Sequence, residues 1–321
     1  MQPSASLALS DSSFARAVRD GLAGIGPKRL APEFFYDEVG SALFEAISVL
    51  PEYGLTRADR RLLIRHARSI AARLPEDVAV IELGSGSGTK TAHVLRPICA
   101  RQKRLDYFPI DVSASALEHC GTELAAFATV HPIQASFLDG VKQAMAGVPA
   151  GATVLVLFLG STIGNFDREH ALTFLQQLRG SLRPNDRLLL GADLVKPVEQ
   201  LLLAYDDPVG VTAAFNLNLL ARMNRELGAN FNLRRFRHFA RYDSAAKRVE
   251  MHLASREAQN VSIPAAGCVI HFETGETIWT ESSHKYEVSD LLDMAGSSGF
   301  RAAEMWRDQE WPFAECLWIA I

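Results

Sequence analysis

From Val78 onward, apolar runs alternate with stretches of helical period. The run through Leu83 is followed by Gly84, Gly86 and Gly88 at every second position, then by Lys90 and Thr91 opening a helical pattern. That order predicts a buried strand, a tight turn and a helix start. A second strand is expected over 105–112, ending Phe108-Pro109-Ile110-Asp111, and a helix over 113–127 with Ser113 as N-cap. A third strand is expected over 128–133. Residues 153–159 are apolar without a break, which predicts a central strand buried on both faces. A helix over 168–182 and a strand over 187–193 complete the alternation, which implies a parallel sheet with right-handed crossovers.

The flanks read differently. Residues 1–12 are rich in Ser and Ala and predict a frayed end. A helix is expected over 14–22, a polar turn over 27–30 and a helical pattern from about 41 to 50. A helix over 57–74 follows, with Thr56 as N-cap and Leu62, Leu63 and Ile70 on one stripe. After Pro197 the alternation stops. Helices over 198–205 and 211–227, the latter ended by Gly228, precede strand-like runs at 248–255, 269–272 and 277–283. A Thr274-Gly275 turn predicts that the last two form a hairpin. Ser289 is the expected N-cap of a helix to 295, and 301–321 supplies closing strands. The expected architecture is α/β: a Rossmann-like, mostly parallel sheet over 58–196 and 285–321, with a second α+β domain from 1–57 and 197–284.

Composition narrows the function classes. The chain of 321 residues is 48% hydrophobic and 22% charged, with a formal net charge of −4. That suits a globular protein and points away from nucleic acid and anionic membrane as partners. Cys99, Cys120, Cys268 and Cys316 are scattered without C-x-x-C pairs, so they read as reduced thiols of a cytoplasmic protein, with no metal site expected. A monomer acting on a small molecule is the expectation.

Spacing limits what the glycine turn can hold. A dinucleotide fingerprint requires a glycine where Thr89 stands, and a P-loop requires Gly88 to adjoin Lys90 directly. What remains, Glu82-x-Gly84-x-Gly86-x-Gly88, resembles motif I of class I S-adenosylmethionine (SAM) methyltransferases; another α/β glycine turn is the competing reading. Asp111 ends the second strand, where an acid accepts from ribose hydroxyls or is simply a surface carboxylate. Lys90 opposes the helix dipole, so it meets a ligand carboxylate or solvent. Asn165, closing Gly160-Ser161-Thr162-Ile163-Gly164-Asn165, can hold an amine and a carboxylate together, or cap a helix. Along 276–283, Trp279, Glu281 and Ser283 share one strand face, which suits a polar ring bearing N–H or a half-buried strand. Met251 alternates with Val249 and Leu253, a core pattern.

Several segments together carry a more specific resemblance. Phe35-Tyr36-Asp37, Leu50-Pro51-Glu52-Tyr53, Glu82-Leu83-Gly84-Ser85-Gly86, Phe158 to Asn165, Gly191-Ala192-Asp193-Leu194-Val195-Lys196, Ala204-Tyr205-Asp206-Asp207 and Thr280-Glu281-Ser282-Ser283 look like the SAM-dependent histidine Nα-methyltransferases of ergothioneine biosynthesis. The resemblance runs from about Pro27 to the end. It implies conversion of L-histidine to its trimethylated betaine, hercynine, with three SAM in succession. It further implies that Gly84, Gly86, Lys90 and Asp111 bind SAM. Tyr53, Asn165 and Tyr205 would hold the amino and carboxylate end of histidine, and Glu281 and Ser283 its imidazole. Met251 would line that pocket, and Tyr36 would stand near the amine. The N-terminal segment and the inserted lobe would form the substrate domain. Two departures stand out. Ala135-Ser136-Phe137 replaces an expected Gly-Asp-Phe, so Ser136 would meet the adenine beside Phe137 more weakly than a carboxylate. Gly54 and Leu55 replace an expected Tyr and Pro, which predicts a more mobile loop. Rival readings are a methyltransferase for another amino acid or for partly methylated histidine, a non-catalytic SAM-binding protein and a nicotinamide oxidoreductase.

Overall fold

Eight of the strands from Val78 onward assemble as one large sheet in the computed structural model, which describes residues 12–321. Of the expected frayed stretch 1–12, residues 1–11 lie outside the described residues, and Ser12 caps the helix Ser13–Ala23, accepting from the Ala15 amide at 3.1 Å. The strand order is Phe300–Asp308, Phe313–Ala320, Arg187–Asp193, Thr153–Phe158, Val78–Leu83, Asp106–Asp111 and Thr129–Val130, with Ile133–Gln134 also pairing with Asp106–Asp111. The five central pairings are parallel, and Phe313–Ala320 runs antiparallel to both its neighbours. Val78–Leu83 has the second strand on one side and the fourth on the other, so the order reverses there. In an open α/β sheet, ligands bind outside the carboxyl ends of the strands at such a switch point. The Rossmann-like sheet expected from the alternation is the one found.

Strands buried on both faces explain the uninterrupted apolar runs: every residue of Val78–Leu83 is buried. The cluster joining Ile81, Val156, Phe158, Leu190 and Trp318 is the core of this sheet. Pro132 interrupts the expected third strand, leaving the two short pieces above. A helix the sequence reading left out, Phe137–Gly147, follows them.

The chain divides into two compact units. One takes the described residues up to Ile47 with Glu199–Asp243 and Val249–Ser282; the other takes Ser48–Val198, Ser244–Arg248 and Ser283–Ile321. These boundaries differ by a few residues from those drawn on the sequence. In the first unit, Lys28–Arg29, Thr277–His284, Arg248–Ser255 and Phe236–Asp243 form a four-stranded sheet. The expected polar turn at 27–30 is therefore a short strand, pairing in parallel with Thr277–His284. The Thr274-Gly275 hairpin does not form. Cys268–Phe272 pairs antiparallel with Gln259–Ile263 instead, a strand that sequence reading missed, as it missed Phe236–Asp243.

Helix ends brought further corrections. The helix expected over 57–74 is Gly54–Ala72, so Thr56 lies inside its first turn. The helix Val288–Ser297 is capped by Glu287, not Ser289, through a reciprocal box with Asp290. Ser113 does cap Ala114–Leu124, accepting from the Ala116 amide at 3.3 Å. No helix among the described residues is long and apolar enough to cross a membrane.

Candidate active site

The glycine bend leaves the carboxyl end of Val78–Leu83 under tight control. Gly84 donates to the Ile110 carbonyl at 2.8 Å. The Gly86 amide donates to Asp111 Oδ2 at 3.1 Å, and Ser113 donates to Oδ1 at 2.9 Å. Asp111 is thus tied to the bend while remaining partly exposed, with lone pairs left for ribose hydroxyls. Gly86 has φ +52°, and a Cβ there would meet nothing within 4 Å. The bend therefore opens onto free space beside an oriented carboxylate, which fits a nucleoside. The Phe137 ring stands 3.6 Å from where a Gly84 Cβ would be, so it walls the same bend. Ser136 is exposed, and its hydroxyl donates to Asp139 Oδ2 at 2.8 Å, which leaves its lone pairs free to accept.

Glu82, quoted in the motif without a role, is fully buried and holds the turn to the following helix. Both its oxygens accept from Thr91 Oγ1 at 2.8 Å, and Tyr107 donates to it as well. Burial pushes its pKa up to about 7 against those hydrogen bonds. Lys90 points its ammonium at Asp59 of the helix Gly54–Ala72. Burial works against that ammonium, but Asp59 more than offsets it, and the pKa stands above the ordinary lysine value.

The residues expected at the amino-acid end of a substrate belong to both units and are described unit by unit. Asn165 closes the short helix Thr162–Asn165, and its amide makes no hydrogen bond to another described residue. It is not a helix cap: Asp167 caps Arg168–Ser181, accepting from the His170 amide at 2.8 Å. The Asn165 turn is pinned from the later chain, by His284 Nδ1 on the Gly164 carbonyl at 3.0 Å and by the Tyr286 hydroxyl on the Ile163 carbonyl at 3.2 Å. Tyr53, in the same unit, is buried immediately before the helix Gly54–Ala72. Gly54 itself packs against Trp311, and Leu55 is buried. The loop expected at Gly54-Leu55 is instead the first turn of the helix Gly54–Ala72, with both residues buried.

Behind these positions lies a cluster the sequence did not announce. Asp193, fully buried, accepts from Trp311 Nε1 at 2.9 Å, pairs with Lys285 Nζ at 2.9 Å and accepts from Lys196. Its backbone amide donates to Ser161 Oγ at 2.9 Å, in the turn that leads to Asn165. Lys285 also donates to Ser283 Oγ at 2.7 Å. Burial acts to raise the Asp193 pKa, but the two ammonium groups overcome it and hold the carboxyl below its ordinary value. Burial drives Lys196 down to about 8. Gly191 to Lys196 forms part of the sequence resemblance, but Lys285 and Trp311, which complete the cluster, lie far along the chain from Asp193.

In the other unit, Tyr205 is buried at the end of the helix Val198–Tyr205. Its carbonyl accepts from His238 Nε2 at 2.8 Å, and the other ring nitrogen faces the Asn216 amide at 2.8 Å, so His238 is a neutral ring holding the helix end. Tyr36 follows the turn Pro32–Phe35, edge-on to Phe44 and Phe215 at 5.7 and 6.0 Å. Glu281 is half-buried on Thr277–His284, where its carbonyl accepts from Trp279 Nε1 at 2.9 Å. Trp279 stacks on His252, with centroids 6.0 Å apart, so His252 shares the Glu281 face. Met251, next to His252 in the strand, is buried with Thr280, whose hydroxyl donates to the Met251 carbonyl at 3.0 Å.

Comparison with known proteins decides the family. The family described as histidine-specific methyltransferase, SAM-dependent, matches residues 14–320. The chain belongs to that family. A histidine N-alpha-methyltransferase of Mycolicibacterium smegmatis is 40% identical over 293 residues, covering 91% of this chain and 90% of the relative. Ergothioneine biosynthesis protein 1 of Neurospora crassa is 35% identical over 205 residues, covering 63% of this chain and 23% of that longer protein. A 4-dimethylallyltryptophan N-methyltransferase of Epichloe festucae var. lolii is 26% identical, covering 94% of each chain.

Proposed function

We propose that this chain transfers three methyl groups in succession from SAM to the α-amino nitrogen of L-histidine, giving hercynine in ergothioneine biosynthesis. The observation that carries this is the histidine-specific family match along nearly the whole chain. The local geometry of the bend supports this reading of the donor side: Asp111, tied to the Gly86 and Ser113 amides, would accept from the ribose hydroxyls, Gly84 and Gly86 would admit the close approach, and Phe137 with Ser136 would meet the adenine. Lys90, held by Asp59, offers a cation for the donor's carboxylate.

The sulfonium donor is already activated, so the protein's task is to orient an acceptor along the methyl axis. A peptide-like α-amine titrates near ~8, so each transfer needs an amine that has lost a proton. Asn165 serves as the amine and carboxylate holder, with Tyr53 and Tyr205 supplying hydroxyls and Tyr36 standing near the nitrogen. Glu281 accepts the ring N–H and Ser283 reads the other ring nitrogen. Met251 shapes the pocket from beneath, through the strand it shares with His252. Gripping histidine at both ends leaves the nitrogen room to gain methyls. In this reading the N-terminal segment up to residue 57 and the inserted lobe 197–284 act as the substrate domain.

The test is direct. Incubating the protein with SAM and each of L-histidine, its mono- and dimethyl forms, tryptophan and other amino acids, mass spectrometry should show a product three methyls heavier from histidine. Methylation of another amino acid in preference to histidine overturns the substrate, and no transfer to any amine overturns the enzyme reading.

A further inference from the structure

We propose that Asp59 and Glu315 form a buried carboxyl pair that shares one proton and positions Lys90: the ammonium keeps a single counter-anion here, and its charge stays available to the donor's carboxylate. The inference rests on the role given to Lys90 above.

Asp59, on the helix Gly54–Ala72, and Glu315, on Phe313–Ala320, are both 0% exposed. Glu315 stands opposite Gly191 of Arg187–Asp193. A glycine leaves it room there, since a Cβ on Gly191 would lie 2.9 Å from Glu315 Oε1 and 3.2 Å from the Gly160 nitrogen. Gly160 opens the turn to Asn165, and a Cβ on it would lie 3.2 Å from Lys90 Nζ and 4.0 Å from Asp59 Oδ2. The two carboxyls and the ammonium are therefore packed around backbone at the end of a central strand. Lys90 donates to Asp59 Oδ2 and is itself partly exposed. No N–H or O–H of a described residue reaches Asp59 Oδ1 or either oxygen of Glu315. Yet the two carboxyl groups interact directly. Buried acceptors that meet without a donor are unfavourable, and one proton between them turns the contact into a hydrogen bond.

Charge balance leads to the same state. Glu315 is faced by Asp59 from the helix Gly54–Ala72 and by Lys90 from the start of Thr91–Cys99. Its cross-strand neighbours, Gly191 and Trp306, carry no charge, and Cys316 projects to the opposite face of the strand. Glu82, at the end of Val78–Leu83, acts on both Lys90 and Asp59. Two ionised carboxylates on one ammonium would leave a net negative charge in the interior. They would also repel a third carboxylate arriving at Lys90. With one proton retained, Asp59 and Lys90 form a neutral ion pair, and Glu315 is an uncharged donor to Asp59. Burial and the Asp59 charge hold the Glu315 carboxyl well above its ordinary range, with Lys90 acting against them. An ammonium carries three protons, so the one given to Asp59 leaves others for a ligand.

The first test compares wild type with Glu315→Gln by urea unfolding. An unfolded glutamate titrates near ~4.3, so from about pH 5.5 to 7.5 unfolding of the wild type releases the shared proton. The ratio of unfolding constants, wild type over variant, should rise about tenfold per pH unit. Glu82 is present in both proteins and cancels. A ratio that does not change with pH overturns the inference. Should Glu315→Gln not fold, the infrared spectrum of the wild type decides. At about pH 8, above the Glu82 pKa of about 7, it should keep a protonated-carboxyl C=O band, and absence of that band overturns the inference. The second test reads the positioning by calorimetry with SAM and with methylthioadenosine, which has the nucleoside but no carboxylate. Glu315→Ala should weaken SAM roughly 3- to 10-fold and leave methylthioadenosine unchanged. Glu315→Gln, whose amide donates to Asp59 as the acid does, should restore SAM to within about 2-fold of wild type. Equal losses for both ligands in the alanine variant, or a glutamine variant as weak as the alanine one, overturn the positioning role. Lys90→Met separates the two levels, and should weaken SAM at least ~10-fold while sparing methylthioadenosine. If it binds SAM as tightly as wild type, the donor-carboxylate reading of Lys90 fails; if it binds SAM weakly while Glu315→Ala binds as wild type, only the positioning role fails.

Discussion

Gly54→Ala is expected to be among the most damaging single-methyl changes in this protein. An added Cβ would lie 2.1 Å from Trp311 Cε3 and 2.5 Å from Cδ2, and Gly54 and Trp311 are both buried. Ordinary carbon contact is roughly 3.5–4.0 Å, so the indole must retreat by more than an ångström. The retreat carries Nε1 away from Asp193, now 2.9 Å distant. Overpacking of this kind costs about 1–3 kcal/mol, and a lost hydrogen bond to a charged acceptor about 1.5–3 kcal/mol. The two overlap, because moving the ring relieves the clash, so a net loss of about 2–4 kcal/mol is expected. Urea denaturation with a fixed slope measures it. Gly180→Ala is the internal control: it lies in the helix Arg168–Ser181, and a Cβ there meets nothing within 4 Å. It should be neutral or stabilising by up to ~1 kcal/mol. Because Tyr53 adjoins Gly54, Gly54→Ala should also raise KM for histidine more than KM for SAM. If the two glycine variants melt together, the reasoning from Trp311 fails.

Four further outcomes are expected. Glu281→Ala should raise KM for histidine roughly 10- to 100-fold, the cost of one charge-assisted hydrogen bond, as steady-state kinetics would show. Asp111→Ala removes the acceptor for the Gly86 and Ser113 amides and should weaken SAM binding by at least ~10-fold in calorimetry, with an unchanged KD refuting the ribose assignment. Ser136→Asp, made with Asp139→Asn to avoid a like-charge neighbour, should tighten SAM roughly 3- to 10-fold, since a carboxylate is the stronger acceptor. Glu82 is expected to shape stability against pH. Its folded pKa of about 7 stands above the ordinary value of 4.5, so the native state holds the proton more tightly. Its stabilising contribution is full below 4.5 and is lost as pH rises through 7. Burial lowers the pKa of His238, His252 and His284, which acts in the opposite sense, so the measurement is the difference between wild type and Glu82→Gln. That difference should shrink with rising pH in wild type relative to the variant; parallel curves count against a buried, proton-holding Glu82.

The elements legible in the sequence share a physical cause. Val78–Leu83, Arg187–Asp193 and Arg248–Ser255 were readable because a strand with most of its positions buried must be apolar or paired along its length, and the helix Val211–Leu227 because Gly228 ends it in the left-handed region at φ +64°. Thr277–His284 was read as a strand but given the wrong partner. A Thr-Gly turn signals a local reversal, while the actual pairing with Lys28–Arg29 joins residues about 250 apart, which no local signal encodes. Phe236–Asp243 was missed because most of its positions are only partly buried, so it lacks an apolar run.

Sequence by itself determined the α/β alternation, the glycine bend with Asp111 25 residues beyond Gly86, and the family, since each depends on residue type at fixed spacing. Tertiary structure alone decided that Gly54 packs against Trp311, that Glu82 clamps Thr91 and Tyr107, and that Asp193 gathers Lys196, Lys285 and Trp311. A buried charge needs partners to be tolerated, and the chain supplies them from positions that only folding brings within hydrogen-bonding distance.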